Sequence, residues 1–387
     1  MNLPLPKQIT NCFQEHEKTK VKNLLICSQA IFEARTTNLN KVKDKLGQVT
    51  GNKSTQPQSN YKRLIRFFQT ENKEELIQSL LFLSFWILRP RRIKYLTLDG
   101  TAWEFGQKKI HVLALCIVYG GVSIPIWWED LDKKGSSDFK ERKAVIEQAS
   151  RFLNLKGLIL LADREYIGRQ WLAYLKSKAI DFIIRLKEKV YKEHIDPIQL
   201  RVGSLDLFQK ARYIKLQRLA QLKKYRTSGV SKVIQMNGEN YTFVVFKNPK
   251  PQAKEPLLYF ISSLEDRPKI IKAYPIRWSI ECCFKHLKSN GFNMEEMGLK
   301  NPDKVKLMIA ILVFLYVLCI REGIEKTKKS TSNIWKKYKN GKKTLAVSFF
   351  RKGLSWVQLQ FSDLRSFIRY LKLILSRRNW AFLLNVQ

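Results

Sequence analysis

Four polar residues, Tyr274, Arg277, Glu281 and Lys288, have the spacing of one face of a helix. At about 100° per residue they fall within a stripe roughly 60° wide. The other side of the segment is apolar, with Ile276, Ile280, Cys283, Phe284 and Leu287, so we expect it to pack on a core. A carboxylate held among cations, on a helix anchored from behind, suits metal-assisted chemistry on a phosphate group.

Two aspartates each follow an apolar run that predicts a buried strand. Asp99 follows residues 95–98, and Asp163 follows residues 157–162. A carboxylate at the end of a buried strand is costly unless a cation or a hydrogen bond meets it. Together with Glu281, these acids predict an oxygen-lined site for Mg²⁺ or Mn²⁺, with two ions sharing the site. Taken singly, each has an ordinary alternative, because a lone Asp after a strand is usually a turn residue and a lone helical Glu is usually solvated.

In chain order, these blocks resemble bacterial insertion-sequence transposases of the DDE class, specifically the insertion-sequence-four family. The first two blocks are Leu-Asp-Gly-Thr at 98–101 and Ala-Asp-Arg-Glu at 162–165. The third is the signature Y-x2-R-x3-E-x6-K, which Tyr274, Arg277, Glu281 and Lys288 match in full. The resemblance covers roughly residues 60–320.

The resemblance implies an RNase H-like catalytic core, interrupted by a β-rich insertion between the second aspartate and the glutamate. It implies that Asp99, Asp163 and Glu281 are the catalytic residues and bind the divalent metal. Arg277 and Lys288 would contact phosphates at the transposon end, and Tyr274 would contact or position the DNA. Such enzymes act as dimers or larger assemblies on paired ends. They hydrolyse a phosphodiester bond to free a 3′-hydroxyl, which then attacks target DNA.

The chain departs from the family in one respect. Some relatives hold a flipped end base with a Trp from the insertion, but no Trp occurs between Trp171 and Trp278 here. Tyr225, Tyr241 or Phe243 are alternatives for stacking on a base, and hairpin formation at the ends stays open. Trp278 borders the polar stripe, and we expect it to pack in the core.

The N-terminal residues 1–90 are predicted to be helical, with a polar break at residues 47–60. Within them, Lys62, Arg63 and Arg66 lie beside an apolar stripe. They predict a DNA-contacting helix, and the alternative is an ordinary amphipathic helix with a solvated face.

The remaining chain predicts an α/β fold with a mixed sheet and helical ends. Strands are expected at 93–98, 110–118 and 122–128, before a helix with a capping box from Asp138 to Glu141. The expected divisions are a helical DNA-binding region at 1–90, the core at 91–189 and 264–325, the β-rich insertion at 190–263, and a basic helical region at 326–387.

The charge balance indicates a polyanionic partner. The chain has 71 Lys and Arg against 33 Asp and Glu, a net charge of +38, and double-stranded DNA is the leading candidate. A membrane is not expected, because the apolar run at 307–320 is too short to span one. The sequence shows no signal peptide and no zinc or disulfide spacing among its 6 cysteines, so we expect a cytoplasmic, nucleoid-associated protein.

The first hypothesis is therefore a DNA transposase that acts as a homodimer on transposon ends and target DNA. Two alternatives remain open: a DNA-binding protein that has lost catalysis, and a metal-dependent nuclease without strand transfer. A basic protein of the membrane surface is the least favoured, because it would not require acids at strand ends.

Overall fold

The computed structural model describes residues 5–52, 54–133, 135–186, 201–202, 205–206, 229–236, 238–248, 255, 257–331, 333–337, 343–361 and 363–376. Five helices precede the first strand: α1 (Lys7–Cys12), α2 (Lys18–Ala34), α3 (Leu39–Thr50), α4 (Pro57–Phe68) and α5 (Lys73–Leu88). The predicted helical N-terminal region is confirmed. The break is shorter than expected, because α3 continues through Gly47 to Thr50 and ends where Gly51 adopts a left-handed conformation, φ 70°.

A single large sheet forms the centre of the fold. Its strands are β1 (Tyr95–Phe105), β2 (Lys108–Tyr119), β3 (Val122–Asp130), β4 (Ile159–Ala162), β5 (Asp181–Leu186), β8 (Gly229–Met236), β9 (Glu239–Lys247) and β10 (Leu257–Ser262). Two short strands, β6 (Arg201–Val202) and β7 (Leu205–Asp206), pair only with each other. The order of the 8 strands is β3-β2-β1-β4-β5-β10-β9-β8. The strands of the 190–263 span therefore extend the sheet that carries the aspartates.

The sheet is mixed. Strands β1 to β3 form an antiparallel meander, while β1 pairs in parallel with β4, and β4 with β5. The next three, β10, β9 and β8, are antiparallel again. Parallel strands need crossover connections, and two helices supply them, α6 (Phe139–Ser150) before β4 and α7 (Arg169–Ser177) before β5. The expected α/β architecture with a mixed sheet is confirmed.

The later helices cover this sheet and close the core. They are α8 (Arg267–Ala273), α9 (Trp278–Lys288), α10 (Pro302–Lys329), α11 (Phe349–Gln360) and α12 (Leu364–Ser376). By length and composition α10 could cross a membrane, but 89% of its most apolar window is buried inside the protein. It is therefore a core helix here, packed on α5, α11 and β3.

Two expectations about single elements differ from the structure. Asp99 does not end its strand, because β1 continues to Phe105 through pairing with β2. The 326–387 region is not wholly helical, because a hairpin of β11 (Trp335–Lys337) and β12 (Lys343–Leu345) precedes α11. The capping box is confirmed: Asp138 accepts the Glu141 N–H, and the Glu141 side chain accepts the Asp138 N–H.

Candidate active site

Asp99 and Asp163 occupy equivalent positions on adjacent strands. The last parallel pair of β1 and β4 joins Leu98 to Ala162, so both aspartates come directly after the end of this ladder. The Asp99 carboxylate accepts the Gly100 N–H at 2.9 Å, and the Asp163 carboxylate accepts the Arg164 N–H at 2.8 Å. Each backbone donor holds one carboxylate oxygen in place at the same edge of the sheet.

Glu281 comes from α9, which begins after a 3₁₀ turn at Tyr274–Arg277. The predicted apolar face is confirmed for most of its members, because Ile280, Cys283, Phe284 and Leu287 are buried. The polar side of the first turn is fixed as well. The Ser279 hydroxyl hydrogen-bonds Ser123 of β3 at 2.6 Å, and Ser123 in turn hydrogen-bonds Thr97 of β1 at 3.0 Å. This hydroxyl ladder fixes α9 on the sheet two residues before Glu281.

Arg277 lies among the three acids. Its guanidinium donates to the Asp99 carboxylate at 3.2 Å and to the Glu281 carboxylate, and it is 3.9 Å from an Asp163 oxygen. The Arg277 side chain is only 10% exposed, against 16%, 29% and 32% for the three acids. One cation thus joins carboxylates from two strands and a helix.

Burial and neighbouring charges shift the pKa values of Asp99 and Arg277. Burial raises the pKa of Asp99 to about 6, although the nearby Arg277 charge opposes the rise. Burial alone would lower the pKa of Arg277, but Tyr274 and the three acids outweigh it, so that this pKa lies above its ordinary value. Arg277 therefore stays protonated, and the cluster holds three carboxyl groups against one permanent cation.

Tyr274 supports Asp163. Its hydroxyl donates to the Asp163 carboxylate at 3.3 Å, and its ring packs on Phe260 of β10 with 4.5 Å between centroids. Burial, followed by the Asp163 charge, raises the pKa of Tyr274 above its ordinary value. The hydroxyl therefore remains a donor. The structure thus brings three of the four signature residues together with the two aspartates.

The fourth signature residue, Lys288, lies at the other end of α9. Its ammonium group donates to the Ala102 carbonyl at 2.7 Å and pairs with Glu295 at 3.1 Å. Seven residues of helix separate it from Glu281, a rise of about 10 Å. Lys288 shares the predicted face but contacts none of the three acids.

The cations predicted to bind DNA at the N-terminus lie on a separate element, α4. Lys62 and Arg66 are exposed, whereas Arg63 is half-buried. Two nitrogens of the Arg63 guanidinium donate to the Asn23 side chain of α2, at 3.2 and 2.7 Å. The exposed pair is therefore more accessible to a ligand than Arg63.

The expected role of Trp278 in the core is wrong. Its side chain is 61% exposed, because the first turn of α9 directs it to solvent, close to Glu281 in sequence. Two of the residues suggested for base stacking, Tyr241 and Phe243, are buried at 4% and 0% exposure. The third, Tyr225, lies outside the described residues.

Sequence reasoning missed two residues that pack against Gly100, the neighbour of Asp99. A Cβ at Gly100 would lie 2.8 Å from Nε2 of His111 and 3.4 Å from the Tyr166 hydroxyl. A side chain at Gly100 would therefore have to displace the imidazole ring of His111. The pairing of β1 with β2 brings His111 here, and no spacing in the sequence shows it.

The carboxylates suit a hard divalent cation by donor type, since all three offer oxygen ligands. Within the described part of the chain, however, no group of three His, Cys, Asp or Glu side chains is close enough to hold a metal ion as it stands. The Arg277 guanidinium contacts Asp99 and Glu281 and lies 3.9 Å from an Asp163 oxygen. A metal ion bound by these acids would have to take the place of that guanidinium.

The family described as "Transposase DDE domain" matches residues 92–318, which include Asp99, Asp163 and Glu281. Among solved structures, a piggyBac transposase synaptic complex with hairpin DNA is similar over 97% of this chain and 82% of that chain, at 10% identity and a TM-score of 0.44. Endonuclease V from Bacillus subtilis is similar over 57% of this chain and 93% of that chain, at 13% identity and a TM-score of 0.26. No curated protein matches the sequence.

Proposed function

This chain belongs to the transposase DDE domain family, and from that premise we propose that it moves an insertion sequence. It would bind the transposon ends and catalyse phosphodiester hydrolysis and strand transfer in the presence of a divalent metal. The observation that carries the proposal is the convergence of Asp99, Asp163 and Glu281 on one guanidinium. The finer assignment to the insertion-sequence-four family rests on the signature of Tyr274, Arg277, Glu281 and Lys288 in the sequence.

The three carboxylates would hold Mg²⁺ or Mn²⁺, and we propose two ions. When bound, the ions lower the pKa of an attacking water or 3′-hydroxyl and stabilise the leaving oxygen. Arg277 would leave the acids and donate to a phosphate oxygen, because a guanidinium pairs with phosphate as readily as with carboxylate. Tyr274 would keep Asp163 oriented through its hydrogen bond.

The DNA would contact several cationic elements. We propose that Lys288 contacts the end near Arg277, and that Lys62 and Arg66 of α4 contact a more distant part of the duplex, with Arg63 positioned by Asn23. The net charge of +38 supports several such surfaces. Trp278, exposed beside Glu281, is available to stack on an unpaired base.

A homodimer is the proposed active form, because cutting two ends requires two catalytic centres. We also propose a cytoplasmic, nucleoid-associated location, because the net charge of +38 favours association with DNA. Neither proposal depends on the geometry of the acids.

The test uses duplex DNA taken from the flanks of the coding region, with purified full-length protein and Mg²⁺ or Mn²⁺. Cleavage at the element boundary, followed by joining of the 3′ end to target DNA, is the expected result. Cleavage without joining would favour the metal-dependent nuclease. Tight binding with no cleaved product would favour a DNA-binding protein that has lost catalysis, and failure to bind the duplex would contradict all three.

A further inference from the structure

The hairpin of β11 and β12 is a cationic and largely exposed element outside the site. Lys336, Lys337 and Lys343 are exposed. In addition, three apolar side chains of its strands and flanks are open to solvent: Ile334 at 75% exposure, Trp335 at 55% and Val347 at 52%. Large apolar groups that cluster on a surface usually mark an interaction site.

The base of this hairpin is firmly attached to the fold. Asn333 donates its side-chain amide to the carbonyls of Thr327 and Ser330 at the end of α10, at 2.9 and 3.1 Å. The Asn333 side-chain oxygen also accepts from Lys352 of α11 at 3.0 Å. One asparagine thus ties the hairpin to two helices, so its strands project from a fixed base.

The described lysines of the hairpin, Lys336, Lys337 and Lys343, form no ion pair with any carboxylate of the described residues. From Lys326 to Phe361 the sequence contains no Asp or Glu. Lys337 lies directly opposite Lys343 across the strands, and a cross-strand pair of like charges is destabilising. Among the described residues no carboxylate forms an ion pair with either lysine. A bound polyanion would remove this repulsion.

The lysines also lie on both faces of the ribbon. Trp335, Lys337 and Lys343 share one face, because alternate residues of a strand point the same way and Lys337 faces Lys343. Lys336 and Ile334 lie on the other face. A flat anionic membrane would meet one face only, whereas the two walls of a DNA groove present phosphates to both.

We propose that the β11–β12 hairpin is a DNA-binding ribbon that enters a groove of the duplex. A two-stranded ribbon fits the major groove by width. Lys336, Lys337 and Lys343 would contact the phosphates on either side, with Trp335 against the floor or edge of the groove. This proposal rests on the DNA-binding role proposed above, and it assigns that role to an element outside the catalytic cluster.

The test measures binding of a fluorescent duplex of arbitrary sequence to the full-length protein by anisotropy, without divalent metal, over a range of salt concentrations. The triple variant Lys336→Gln, Lys337→Gln, Lys343→Gln is expected to bind at least about tenfold more weakly, and its slope of log affinity against log salt should fall by about 2 to 3. The matched control is Lys18→Gln, Lys140→Gln, Lys156→Gln. It removes the same charge from exposed lysines elsewhere and should change the slope much less.

Equal slopes for the two triple variants would overturn the hairpin assignment while leaving the transposase proposal intact. Failure of the wild-type protein to bind any duplex would instead remove the proposed function. Lysine acetylation of the wild-type protein gives a second measurement without a variant. DNA should protect the three hairpin lysines, and equal labelling with and without DNA would contradict the proposal.

Two further experiments test whether the hairpin instead contacts a second copy of this chain, by light scattering, or an anionic membrane, by vesicle binding. If Trp335→Ala converts a dimer to a monomer without changing DNA affinity, the surface is a contact between copies and the proposal is wrong. The proposal is also wrong if the triple variant loses binding to anionic phosphatidylserine vesicles but keeps its DNA affinity.

Discussion

Arg277 neutralises part of the charge that Asp99, Asp163 and Glu281 bring together, and it does so from within the cluster. The guanidinium contacts acids from β1 and α9 and lies 3.9 Å from the acid that follows β4. If these acids bind a divalent ion, as proposed, that ion and Arg277 must compete for the same carboxylates. DNA phosphate offers the guanidinium another partner, so that DNA and metal should each favour binding of the other.

This competition predicts the effect of Arg277→Gln on metal binding. In the absence of DNA, at about pH 8, the variant should bind Mn²⁺ about tenfold more tightly than the wild type, since roughly 1.4 kcal/mol of competing interaction is lost. Electron paramagnetic resonance of free Mn²⁺ measures the affinity. Lys288→Gln removes the same charge at the far end of α9, where Lys288 contacts none of the three acids, and it should leave the affinity unchanged. An Arg277→Gln affinity equal to or below that of the wild type would contradict the account.

The raised pKa of Asp99 predicts how metal binding depends on pH. A carboxyl group must lose its proton to bind a metal ion. Burial raises the pKa of Asp99 to about 6, so the protonated form dominates below that pH. We expect Mn²⁺ affinity to fall about tenfold per pH unit below pH 6 and to level off above it. Isothermal titration calorimetry over this range checks the profile, and a flat affinity between pH 5 and 7 would count against it.

The Asp99 contribution to folding stability changes with pH in the direction opposite to that of most carboxyl groups, whose pKa is lowered by folding. Because the folded-state pKa of Asp99 is raised from 3.8 to about 6, the folded protein holds this proton more tightly than the unfolded chain. The contribution of Asp99 to stability is therefore most favourable below pH 4 and is lost as the pH rises to 6.

At the scale of elements, the crossing of α10 and α11 depends on two glycines. A Cβ at Gly353 would lie 1.7 Å from the Cys319 carbonyl oxygen, and one at Gly323 would lie 1.8 Å from that of Phe349. Backbone atoms cannot move aside as a flexible side chain can, so the helices must separate if either glycine is replaced. The same crossing fixes Lys352, which holds the base of the hairpin.

We therefore expect Gly353→Ala to lower the free energy of unfolding by about 2 to 4 kcal/mol, through overpacking of the helix crossing. Urea denaturation followed by circular dichroism gives the measurement. Ser355→Ala is the matched control, because Ser355 is exposed on the same helix, and it should change the stability by less than about 0.5 kcal/mol. An unchanged midpoint for Gly353→Ala would show that the crossing is looser than these distances indicate.

The sequence predicted those elements that carry a local signal. Alternating and continuous apolar runs located β1 to β4, and Asp138 with Glu141 located the start of α6. The C-terminal hairpin was missed, although the sequence carries an Asn340-Gly341 pair typical of tight turns. Its strands are short and rich in lysine, so that no apolar alternation indicated them.

The acids of the site were predictable because their residue types and their positions along the sequence both suggested metal binding. The two aspartates and the glutamate stood out by type, but their closeness follows from the parallel register of β1 and β4, which no single sequence shows. The placement of Arg277 between the acids is likewise a tertiary result. Helix periodicity showed that Lys288 and Glu281 share one face of the helix, but it did not show that they lie about 10 Å apart along the helix axis. For the same reason, periodicity did not show that Trp278 faces solvent.

At the scale of the whole molecule, the charge and the catalytic cluster act together. A net charge of +38 attracts DNA at long range but carries no sequence information. We propose that the exposed cations of α4 and of the β11–β12 hairpin form two of the surfaces through which this charge contacts DNA. Under the proposed function, the cluster of Asp99, Asp163 and Glu281 would supply the nuclease and strand-transfer chemistry that DNA binding alone does not provide.

The most direct test of this account is metal-dependent cleavage of duplex DNA from the element boundary by the wild type, Glu281→Gln and Glu265→Gln. Glu265 is an exposed acid outside the cluster, so its variant should cut at the wild-type rate. Glu281→Gln should bind the duplex as tightly as the wild type and yet cleave it at least about a hundredfold more slowly, because the amide keeps the shape but loses the charge that a metal ion requires. Cleavage by Glu281→Gln at the wild-type rate would contradict the central claim.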